Sequence, residues 1–559
     1  MRHRVAIIAA IAAIVLAGAL FSRVQFGQLA HPLLWHDEAL TAVFGERVLE
    51  YGYPKVHGPD GQAHYPMHHD LSVGTHETWD AYIGSPWLQY YFAAAGVAWA
   101  KRSDDLYEKT RRVRLPFALA GCAGLMILLL TGLSALHGIK QRLLFAALYL
   151  GALSYSVLLV LHLREVRYYA LTVLLVACAV SITAYRDIFR NIGGAIYTVA
   201  LAVVCLLLFN SFYLAFVGLG LGLAINALLE SLPDDTTARA DADFIGVLLP
   251  KLGPLILAAL AAIPLLYFYE VFDVAAAFPD RYATPKNAYG YKLLGLIKGL
   301  LRYEFLAAAL VFRAGVQFCL RTASSQAKQA TAQRRQFAQL LACIIVCYAA
   351  VVAFAPFYYE RYSIALSPLI TLLLLIDGFT IWDLQKEHRR EFAHKLVVVI
   401  CGLTLLATLF IRFPEFSGRL AETSSPIEGP LDQVVAYITA NYEHPEDLVI
   451  ATNYEDPSLR FYLGSQVVIG WFNPDVERDL AADPDIIIPR PGNRHLDELK
   501  LLASKGSYAQ KTFPLMNTHA NNVPSLAPWN HSRWVHRFAT PKVGADDTER
   551  TFILERTRP

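Results

Sequence analysis

Long apolar runs constrain this chain more than any other feature of its sequence. We identify eleven, each about 17 to 23 residues long, which is the length that a helix needs to cross a bilayer. Lipid makes such runs helical, because every backbone N–H and C=O must find its partner within the segment. The runs lie at residues 5–21, 115–136, 143–162, 168–185, 193–209, 212–229, 247–269, 293–312, 337–355, 364–382 and 396–411.

The composition agrees with a membrane protein. Of 559 residues, 55% are hydrophobic and 17% are charged, whereas a soluble protein averages roughly a quarter charged. The net charge is +2 and no basic stripe accompanies a nucleic-acid-binding motif, so no nucleic-acid partner is expected. The cysteines lack metal-ligand or disulfide spacing, and all but Cys319 fall in apolar runs, so we predict that they are packing residues.

Two short basic loops set the predicted orientation. Residues 313–336 carry five Lys and Arg residues and no acidic residue, and residues 386–395 carry four more. Short loops rich in Lys and Arg favour the cytoplasmic side. Counting spans from these loops places the N-terminus in the cytoplasm and everything after Arg412 outside. Short loops and cysteine-free polar segments favour the inner membrane of a bacterium over a eukaryotic compartment, where the outer side would be lumenal.

One apolar segment, residues 86–100, disturbs this count. A crossing there would invert the topology that follows, so we interpret it as a helix lying in the outer membrane interface. Its Trp87, Tyr90, Tyr91 and Trp99 are typical of the aromatic belt. The basic residues between 101 and 114 favour a cytoplasmic loop instead, so a crossing remains the alternative.

The sequence therefore predicts an all-α polytopic membrane bundle with a soluble α/β domain at its C-terminus. The membrane module covers residues 1–413, and its first outer loop, about 22–113, contains interfacial helices. The outer domain covers residues 414–559. There we predict helices at 431–442 and 496–505, and strands at 447–452, 466–470, 485–489 and 551–555.

Four polar clusters fall on the outer face in this topology. The first is the acidic pair Asp37-Glu38, which follows the first apolar run. The others are Arg164, Glu165, Arg167, Tyr168 and Tyr169; Tyr358, Tyr359, Glu360, Arg361 and Tyr362; and loop 270–292 with Arg281 and Lys286. Charged groups at a membrane are costly to desolvate and usually mark a pathway or a reaction site.

A carboxylate beside arginines at a membrane surface suits one kind of chemistry. The planar guanidinium fits phosphate oxygens, and a lipid phosphate whose tail stays in the bilayer would lie at this depth. The carboxylate could accept a proton from a hydroxyl or amine acceptor while the arginines stabilise the leaving phosphate. Each cluster alone also has an ordinary interpretation, as a solvated loop, a head-group anchor or a stacked helix cap. Four clusters on one face are harder to explain by anchoring.

At these residues the chain resembles the GT-C superfamily of membrane glycosyltransferases, in particular the protein O-mannosyltransferases and the lipid A aminoarabinose transferase. The resemblance covers most of residues 1–415. It is carried by five elements: Asp37-Glu38 between Trp35 and Ala39; the aromatic segment 86–91; Arg114-Leu115-Pro116; the Arg-x-x-Arg-Tyr-Tyr element of residues 164–169; and Glu360-Arg361-Tyr362 with Pro368.

The resemblance implies an inverting transfer of a hexose or pentose from a polyprenyl-phosphate donor to a glycan, lipid or protein acceptor on the outer face. It implies Asp37 as the general base, supported by Glu38. It implies that Arg361 and Arg167, and then Arg164, hold the lipid phosphate. We add Tyr168, Tyr169, Glu360, Tyr362, Arg281 and Lys286 as candidate substrate-binding residues.

The first outer loop departs from this pattern in its many histidines, at positions 57, 64, 68, 69 and 76. The run 64–70 has the residue types to bind a divalent metal. A histidine-rich exposed loop is more often incidental, so no metal or other cofactor is predicted.

Two functions from other classes compete with this hypothesis. A lipid-linked-sugar transporter or flippase would also hold phosphates with arginines, but such proteins tend to contain inverted repeats and charges at the bilayer midplane. We find no internal repeat, and the charges lie at loop junctions. A glycan-binding sensor anchored by the bundle is the second alternative, and it leaves the charged clusters at the bundle mouth unexplained.

Overall fold

The computed structural model describes residues 2–58, 74–76, 78–232, 244–273, 288–355, 359–386, 392–471, 476–517, 522–524, 543–544 and 549–557. The helices up to residue 230 are α1 (Arg2–Phe26), α2 (His36–Tyr51), α3 (Leu88–Ala100), α4 (Leu106–Ser134), α5 (Ile139–Ser154), α6 (Val157–His162), α7 (Tyr169–Ala184), α8 (Arg186–Ile192), α9 (Gly194–Phe209) and α10 (Tyr213–Leu229). A short hairpin, β1 (Thr75–His76) and β2 (Ala81–Tyr82), lies between α2 and α3.

The second half of the chain adds helices and a sheet. The helices are α11 (Phe244–Phe268), α12 (Tyr289–Tyr303), α13 (Leu306–Thr322), α14 (Ser325–Ala330), α15 (Ala332–Val352), α16 (Leu366–Leu384), α17 (Phe392–Glu422), α18 (Pro430–Asn441), α19 (Asp456–Leu463), α20 (Val476–Asp479) and α21 (Leu496–Ser504), with 3-10 turns at Glu360–Ser363 and Pro445–Asp447. The strands are β3 (Val449–Thr452), β4 (Gln466–Ile469), β5 (Ile486–Ile488), β6 (Tyr508–Met516) and β7 (Arg550–Arg556).

The chain is an integral membrane protein with a mostly helical fold, as predicted. Within the described residues, six helices are long and apolar enough to cross a bilayer: α1, α4, α11, α15, α16 and α17. Close packing in the bundle depends on small residues. A Cβ at Gly218 or Gly222 of α10 would lie 2.8 or 2.6 Å from a Cα atom of α15, so only glycine permits this approach.

Two predicted spans are wrong as single helices. The run 293–312 is divided between α12 and α13 at Glu304, and the run 143–162 between α5 and α6 at Tyr155 and Ser156. The two breaks meet, because the Glu304 carboxylate accepts hydrogen bonds from Ser156 Oγ (3.1 Å), Leu158 N (3.1 Å) and Ser367 Oγ (2.6 Å). A buried carboxylate needs these donors, and it draws them from helix termini, where backbone N–H groups lack partners within the helix.

The first outer loop packs onto the bundle through α3, which contacts both α2 and α4. At 13 residues, α3 is about 20 Å long, which is shorter than the roughly 30 Å hydrocarbon core. Its length therefore favours the predicted position in the membrane interface over a crossing.

The C-terminal region contains a five-stranded sheet in the order β4-β3-β5-β7-β6. Strand β3 is parallel to β4 and β5, whereas β7 is antiparallel to β5 and β6. Four of these strands and helices α18 and α21 coincide with predicted elements. Strand β6 and helix α19 were missed, although α19 begins with Asp456-Pro457 and proline is favoured in a helix's first turn. The predicted boundary at 413/414 falls inside α17.

Candidate active site

The site begins at the first turn of α2, where two neighbouring carboxylates point in different directions. Asp37 and Glu38 both lie in this turn, where acidic side chains interact favourably with the helix dipole. The Asp37 side chain is 26% exposed, whereas that of Glu38 is 1% exposed. The Asp37 carboxylate is therefore partly open to solvent, whereas the Glu38 carboxylate faces the protein interior.

Asp37 lies between two arginines from distant parts of the chain. Its Oδ2 atom is 3.7 Å from Arg167 Nη2 and 3.6 Å from Arg361 Nη2. Arg167 comes from the loop before α7, and Arg361 from the 3-10 turn Glu360–Ser363. Three clusters that are separate in the sequence thus converge at one place.

Both arginines are buried and retain hydrogen-bonding capacity. The Arg361 guanidinium lies over the rings of Trp35 and Tyr359, at 4.8 and 4.4 Å, and Arg167 lies 5.5 Å from the Tyr168 ring. The Nε atom of each arginine has no hydrogen-bond partner in the described part of the chain. Buried donors are normally satisfied, so these N–H groups are available to an anionic ligand.

The charge of Arg361 persists despite its burial. Burial lowers the pKa of a guanidinium, but the neighbouring Tyr169 phenol and the Asp37 carboxyl outweigh it and raise the pKa of Arg361 well above its usual value. The site therefore keeps a permanent positive charge beside the Asp37 carboxylate.

Glu38 forms a closed, fully buried ion pair with Arg114. Its two oxygens accept hydrogen bonds from Arg114 Nε (2.9 Å) and Arg114 Nη2 (2.6 Å), and Oε1 also accepts one from Val166 N (3.0 Å). Arg114 further donates to the carbonyl oxygens of Leu29 and Pro32. Glu38 is therefore a positioning residue that joins α2, α4 and the loop before α7.

Arg114 was quoted in the family resemblance but given no role. The signal that could have revealed it is an arginine directly before the apolar part of α4. A buried arginine needs a carboxylate partner, and the sequence offers Glu38 in the outer loop.

Arg164 contacts backbone carbonyl groups instead of the Asp37 carboxylate. Its guanidinium donates to the carbonyl oxygens of Gly27 (2.7 Å), Gln28 (3.0 Å) and His31 (2.8 Å). This geometry favours a role in holding the loop after α1 over the predicted role in phosphate binding.

The predicted tyrosines form an aromatic wall beside the arginines. The ring centroid of Tyr168 lies 4.6 Å from that of Tyr169 and 4.9 Å from that of Phe212. The ring centroids of Phe212 and Tyr362 are 5.5 Å apart. Arg281, Lys286 and Tyr358 lie outside the described residues.

A second carboxyl group near the site, Glu165, was not assigned a role from sequence. Glu165 is 2% exposed, and its Oε1 atom is 2.7 Å from His162 Nδ1. Burial raises the pKa of Glu165 well above its usual value, although the positive charge of Arg361 opposes this shift. Burial thus favours the protonated form of Glu165, beside Asp37 and Arg361.

A cavity of about 230 Å³ adjoins Glu360, the residue before Arg361. Its lining comes from α12, from the turn Glu360–Ser363 and from α6, and it includes Lys298, Arg302, Tyr303 and Glu304. Glu360 therefore lies between Arg361 and a recess lined by both basic and acidic side chains.

The described residues contain no group of three or more His, Cys, Asp or Glu side chains that could hold a metal ion. His57 instead pairs with Asp80, with Nδ1 2.5 Å from Oδ1. The histidine-rich run 64–70 lies outside the described residues.

The segment that leads into Asp37 is held by the C-terminal region. The Leu33 N–H donates to Asp432 Oδ1 (3.0 Å), and the Leu34 N–H donates to the Tyr462 hydroxyl (2.9 Å). The Leu34 carbonyl accepts from Ser458 Oγ (3.0 Å). Both backbone groups of Leu34 thus find their partners in α19, more than 400 positions later.

His36 extends this contact to the residue before Asp37. Its Nδ1 atom is 3.5 Å from Asp456 Oδ1, and its ring stacks on Tyr454 at 4.9 Å. The C-terminal region and the Asp37 cluster therefore lie at the same end of the bundle.

Comparisons with known proteins identify the fold. No family model and no curated protein matches the sequence. Among solved structures, the chain is similar to ArnT from Cupriavidus metallidurans in the apo state, with a TM-score of 0.53 and 14% sequence identity, over 98% of each chain. The structure of the same protein bound to undecaprenyl phosphate gives a TM-score of 0.51 and 14% identity over 97% of each chain. The predicted resemblance is thereby confirmed at the level of the fold.

Proposed function

We propose that this protein is an inverting glycosyltransferase that moves one sugar from a polyprenyl-phosphate donor to an acceptor at the outer membrane face. The observation that carries the proposal is the position of Asp37 between the buried guanidiniums of Arg167 and Arg361. The similarity to a structure that holds undecaprenyl phosphate supports a lipid phosphate as the donor's leaving group.

In the proposed mechanism, the lipid phosphate binds to the guanidinium groups of Arg167 and Arg361. Their distances to Asp37, 3.6 and 3.7 Å, exceed a hydrogen-bond length, so a phosphate that supplies shorter contacts can displace the carboxylate. Asp37 is then free to accept a proton from the acceptor.

The proposed transfer step conserves atoms and charge without a cofactor. As Asp37 removes the proton, the acceptor oxygen or nitrogen attacks the anomeric carbon on the face opposite the phosphate. The carbon–oxygen bond to the phosphate breaks, and its electron pair remains on the phosphate oxygen. Arg361 and Arg167 stabilise the negative charge that builds on the phosphate. The configuration at the anomeric carbon is inverted.

The arrangement in the membrane follows from the same proposal. We propose eleven spans, formed by α1, α4, α5 with α6, α7, α9, α10, α11, α13, α15, α16 and α17, in a bacterial inner membrane. Here α13 replaces the predicted span 293–312, and α12 lies along the interface. The N-terminus is cytoplasmic, and the membrane module of residues 1–413 presents the Asp37 cluster and the domain of residues 414–559 on the outer side.

The sharpest test separates chemistry from donor binding. Asp37→Asn keeps the side-chain shape and removes the base, so transfer should fall by about 10²- to 10⁴-fold while donor affinity changes little. Arg361→Ala deletes a phosphate partner, so donor affinity should fall by about tenfold or more. Both are measured with full-length protein, a labelled polyprenyl-phosphate sugar and a panel of acceptors.

Matched controls are available in the chain. Asp187→Asn and Arg102→Ala change an exposed aspartate and an exposed arginine outside the site, and both should leave transfer and donor affinity intact. Wild-type transfer by Asp37→Asn would remove Asp37 as the base. Movement of intact lipid-linked sugar between leaflets, without transfer, would identify a transporter instead.

A further inference from the structure

A polar cavity of about 390 Å³ lies where α2 meets the C-terminal region. Residues of α2 line one side, and the C-cap of α3 contributes Lys101. The opposite side comes from the end of α19 and the start of β4. The volume falls within the range of about 300 to 1,000 Å³ that small-molecule sites occupy. The cavity is therefore large enough to hold a small organic ligand.

The cavity is separate from the Asp37 cluster. Its lining residue Glu46 follows Asp37 by nine positions on the same helix, which is two and a half turns. Glu46 therefore lies about 14 Å along the axis from Asp37 and on the opposite face of α2. A small ligand in this cavity would not reach the proposed base.

The lining carries charges of both signs in equal number. The charged side chains are Glu46, Glu50, Glu446, Arg47, Lys101 and Arg460. An ion of either sign would be attracted by three of these groups and repelled by the other three. Among the lining residues that the structure describes, only Val43 is hydrophobic, so the cavity does not suit a lipid tail either. The lining therefore favours a ligand that is polar and uncharged.

Glu46 is a half-buried carboxylate that the protein leaves without a partner. In the described part of the chain, its oxygens accept no hydrogen bond and form no ion pair of 4 Å or less. Burial raises the pKa of Glu46, although the positive charges of Lys101 and Lys109 oppose this shift. A carboxyl group removed from water is normally hydrogen-bonded, so Glu46 offers an acceptor to a ligand.

The arginines of the lining are already held by the protein. Arg47 donates to two carbonyl oxygens of the loop after α2 and lies 3.4 Å from Glu50. Arg460 donates to a carbonyl oxygen of β4 at 2.9 Å. Lys101, in contrast, is exposed and lies near Glu46 without pairing with it. A ligand would thus meet a carboxylate acceptor and an ammonium donor that are not bound to each other.

Hydroxyl groups match this pair of charges. A hydroxyl both donates and accepts, so two hydroxyls of one molecule can donate to Glu46 and accept from Lys101. Hydrogen bonds to charged groups are also stronger than those between neutral groups. A saccharide carries several hydroxyls on a rigid ring, which lowers the entropy lost when they are fixed.

We infer that this cavity binds a neutral saccharide, with Glu46 and Lys101 as its principal polar contacts. The bound sugar would join α2 to the C-terminal region, on the side of α2 that faces away from Asp37. This inference does not rest on the proposed transferase activity.

The test measures sugar binding by saturation-transfer NMR. Full-length protein is kept in lauryldimethylamine oxide, a detergent whose head group is not a sugar. The probes are glucose, galactose, mannose, N-acetylglucosamine, lactose and cellobiose, and at least one of them should bind. Glu46→Gln should weaken that binding by about tenfold or more, because it removes the charged acceptor. Glucosamine and glucuronate, which add a charge of either sign to the ring of glucose, should bind no more tightly than glucose.

A second variant covers the case in which Glu46→Gln does not fold. Gln466 is an exposed lining residue on the edge strand β4, so Gln466→Trp should fill the cavity and abolish binding with little effect on the fold. Two matched controls change exposed residues outside the cavity. They are Glu477→Gln on α20 and Gln510→Trp on the opposite edge strand β6, and both should bind the sugar as the wild type does.

Three results would overturn the inference. If none of the neutral sugars binds, the cavity holds water alone. If Glu46→Gln and Gln466→Trp both bind sugar normally, or if only Arg361→Ala loses binding, the sugar occupies the Asp37 cluster instead. If glucosamine or glucuronate binds tenfold more tightly than glucose, the ligand is an ion. Each result can be read whether or not the protein transfers sugar.

Discussion

Adjacent carboxylates on α2 belong to two regions built in opposite ways. Around Glu38, contacts of 2.6, 2.9 and 3.0 Å join three parts of the chain, and the side chain is inaccessible to solvent. Around Asp37, the two ion-pair distances are 3.6 and 3.7 Å, and a quarter of the side chain is exposed. The Glu38 region uses charge to fix the backbone, whereas the Asp37 region leaves charge incompletely paired so that a ligand can compete for it.

The largest effect expected from this comparison is on folding. Glu38→Ala leaves Arg114 buried without a counter-charge, so the free energy of unfolding should fall by about 3–5 kcal/mol. Asp37→Ala, one residue away, removes only a long, partly exposed ion pair and should cost far less. Thermal unfolding of the two variants in the same detergent measures the difference. Equal destabilisation would remove the distinction between the two regions.

The free energy of unfolding should depend on pH through a third carboxyl group, that of Asp432, which accepts a hydrogen bond from the Leu33 N–H. Burial raises the pKa of Asp432 from 3.8 to about 6, although the hydrogen bond from Leu33 opposes this shift. The folded state thus binds this proton more tightly than the unfolded state. The resulting contribution, about 3 kcal/mol at most, is fully present below pH 4 and is lost as the pH rises through about 6.

Asp432→Asn cannot ionise, so its stability should change less steeply than that of the wild type between pH 4 and 6. Unfolding curves at several pH values, compared as differences between the two proteins, remove the contribution of other groups. Parallel stability profiles would show that Asp432 titrates alike in the folded and unfolded states.

Arg164 tests whether every arginine near the site belongs to the loosely paired region. Arg164→Ala removes three hydrogen bonds to carbonyl oxygens and should lower the free energy of unfolding by about 2 kcal/mol, with little change in donor affinity. Arg361→Ala should instead lower donor affinity, with little change in the free energy of unfolding. A binding assay and a melting curve on both variants decide this, and a loss of donor affinity in Arg164→Ala would return it to the phosphate site.

The smallest effect concerns the support of Asp37 by α19. Ser458→Ala removes the donor to the Leu34 carbonyl and should cost about 1 kcal/mol of stability. Because the proposed base lies three residues further on, the transfer rate should fall more than donor affinity. Ser504→Ala, an exposed serine on α21, is the control. If Ser458→Ala leaves the ratio of transfer rate to donor affinity unchanged, Ser458 contributes only to the stability of the fold.

Hydropathy was sufficient to predict a helical membrane protein, and strand periodicity located most of the C-terminal sheet. The break at Glu304 could not be predicted, because its cause is a set of donors about 60 to 150 positions away. The sequence could suggest that Asp37, Arg167 and Arg361 share a site, because each lies in a polar cluster at a loop junction. It could not show that Arg164 donates to three carbonyl oxygens, since backbone acceptors leave no mark in a sequence.

The backbone partners of residues 33 and 34 have a consequence for biosynthesis. Leu33 and Leu34 are bound by Asp432 and Tyr462, which lie 399 and 428 positions later in the chain. A ribosome must add 428 residues after Leu34 before it reaches Tyr462. A nascent chain therefore enters the membrane with its proposed base still unfixed, and the proposed site is completed only after residues 432–462 have been made.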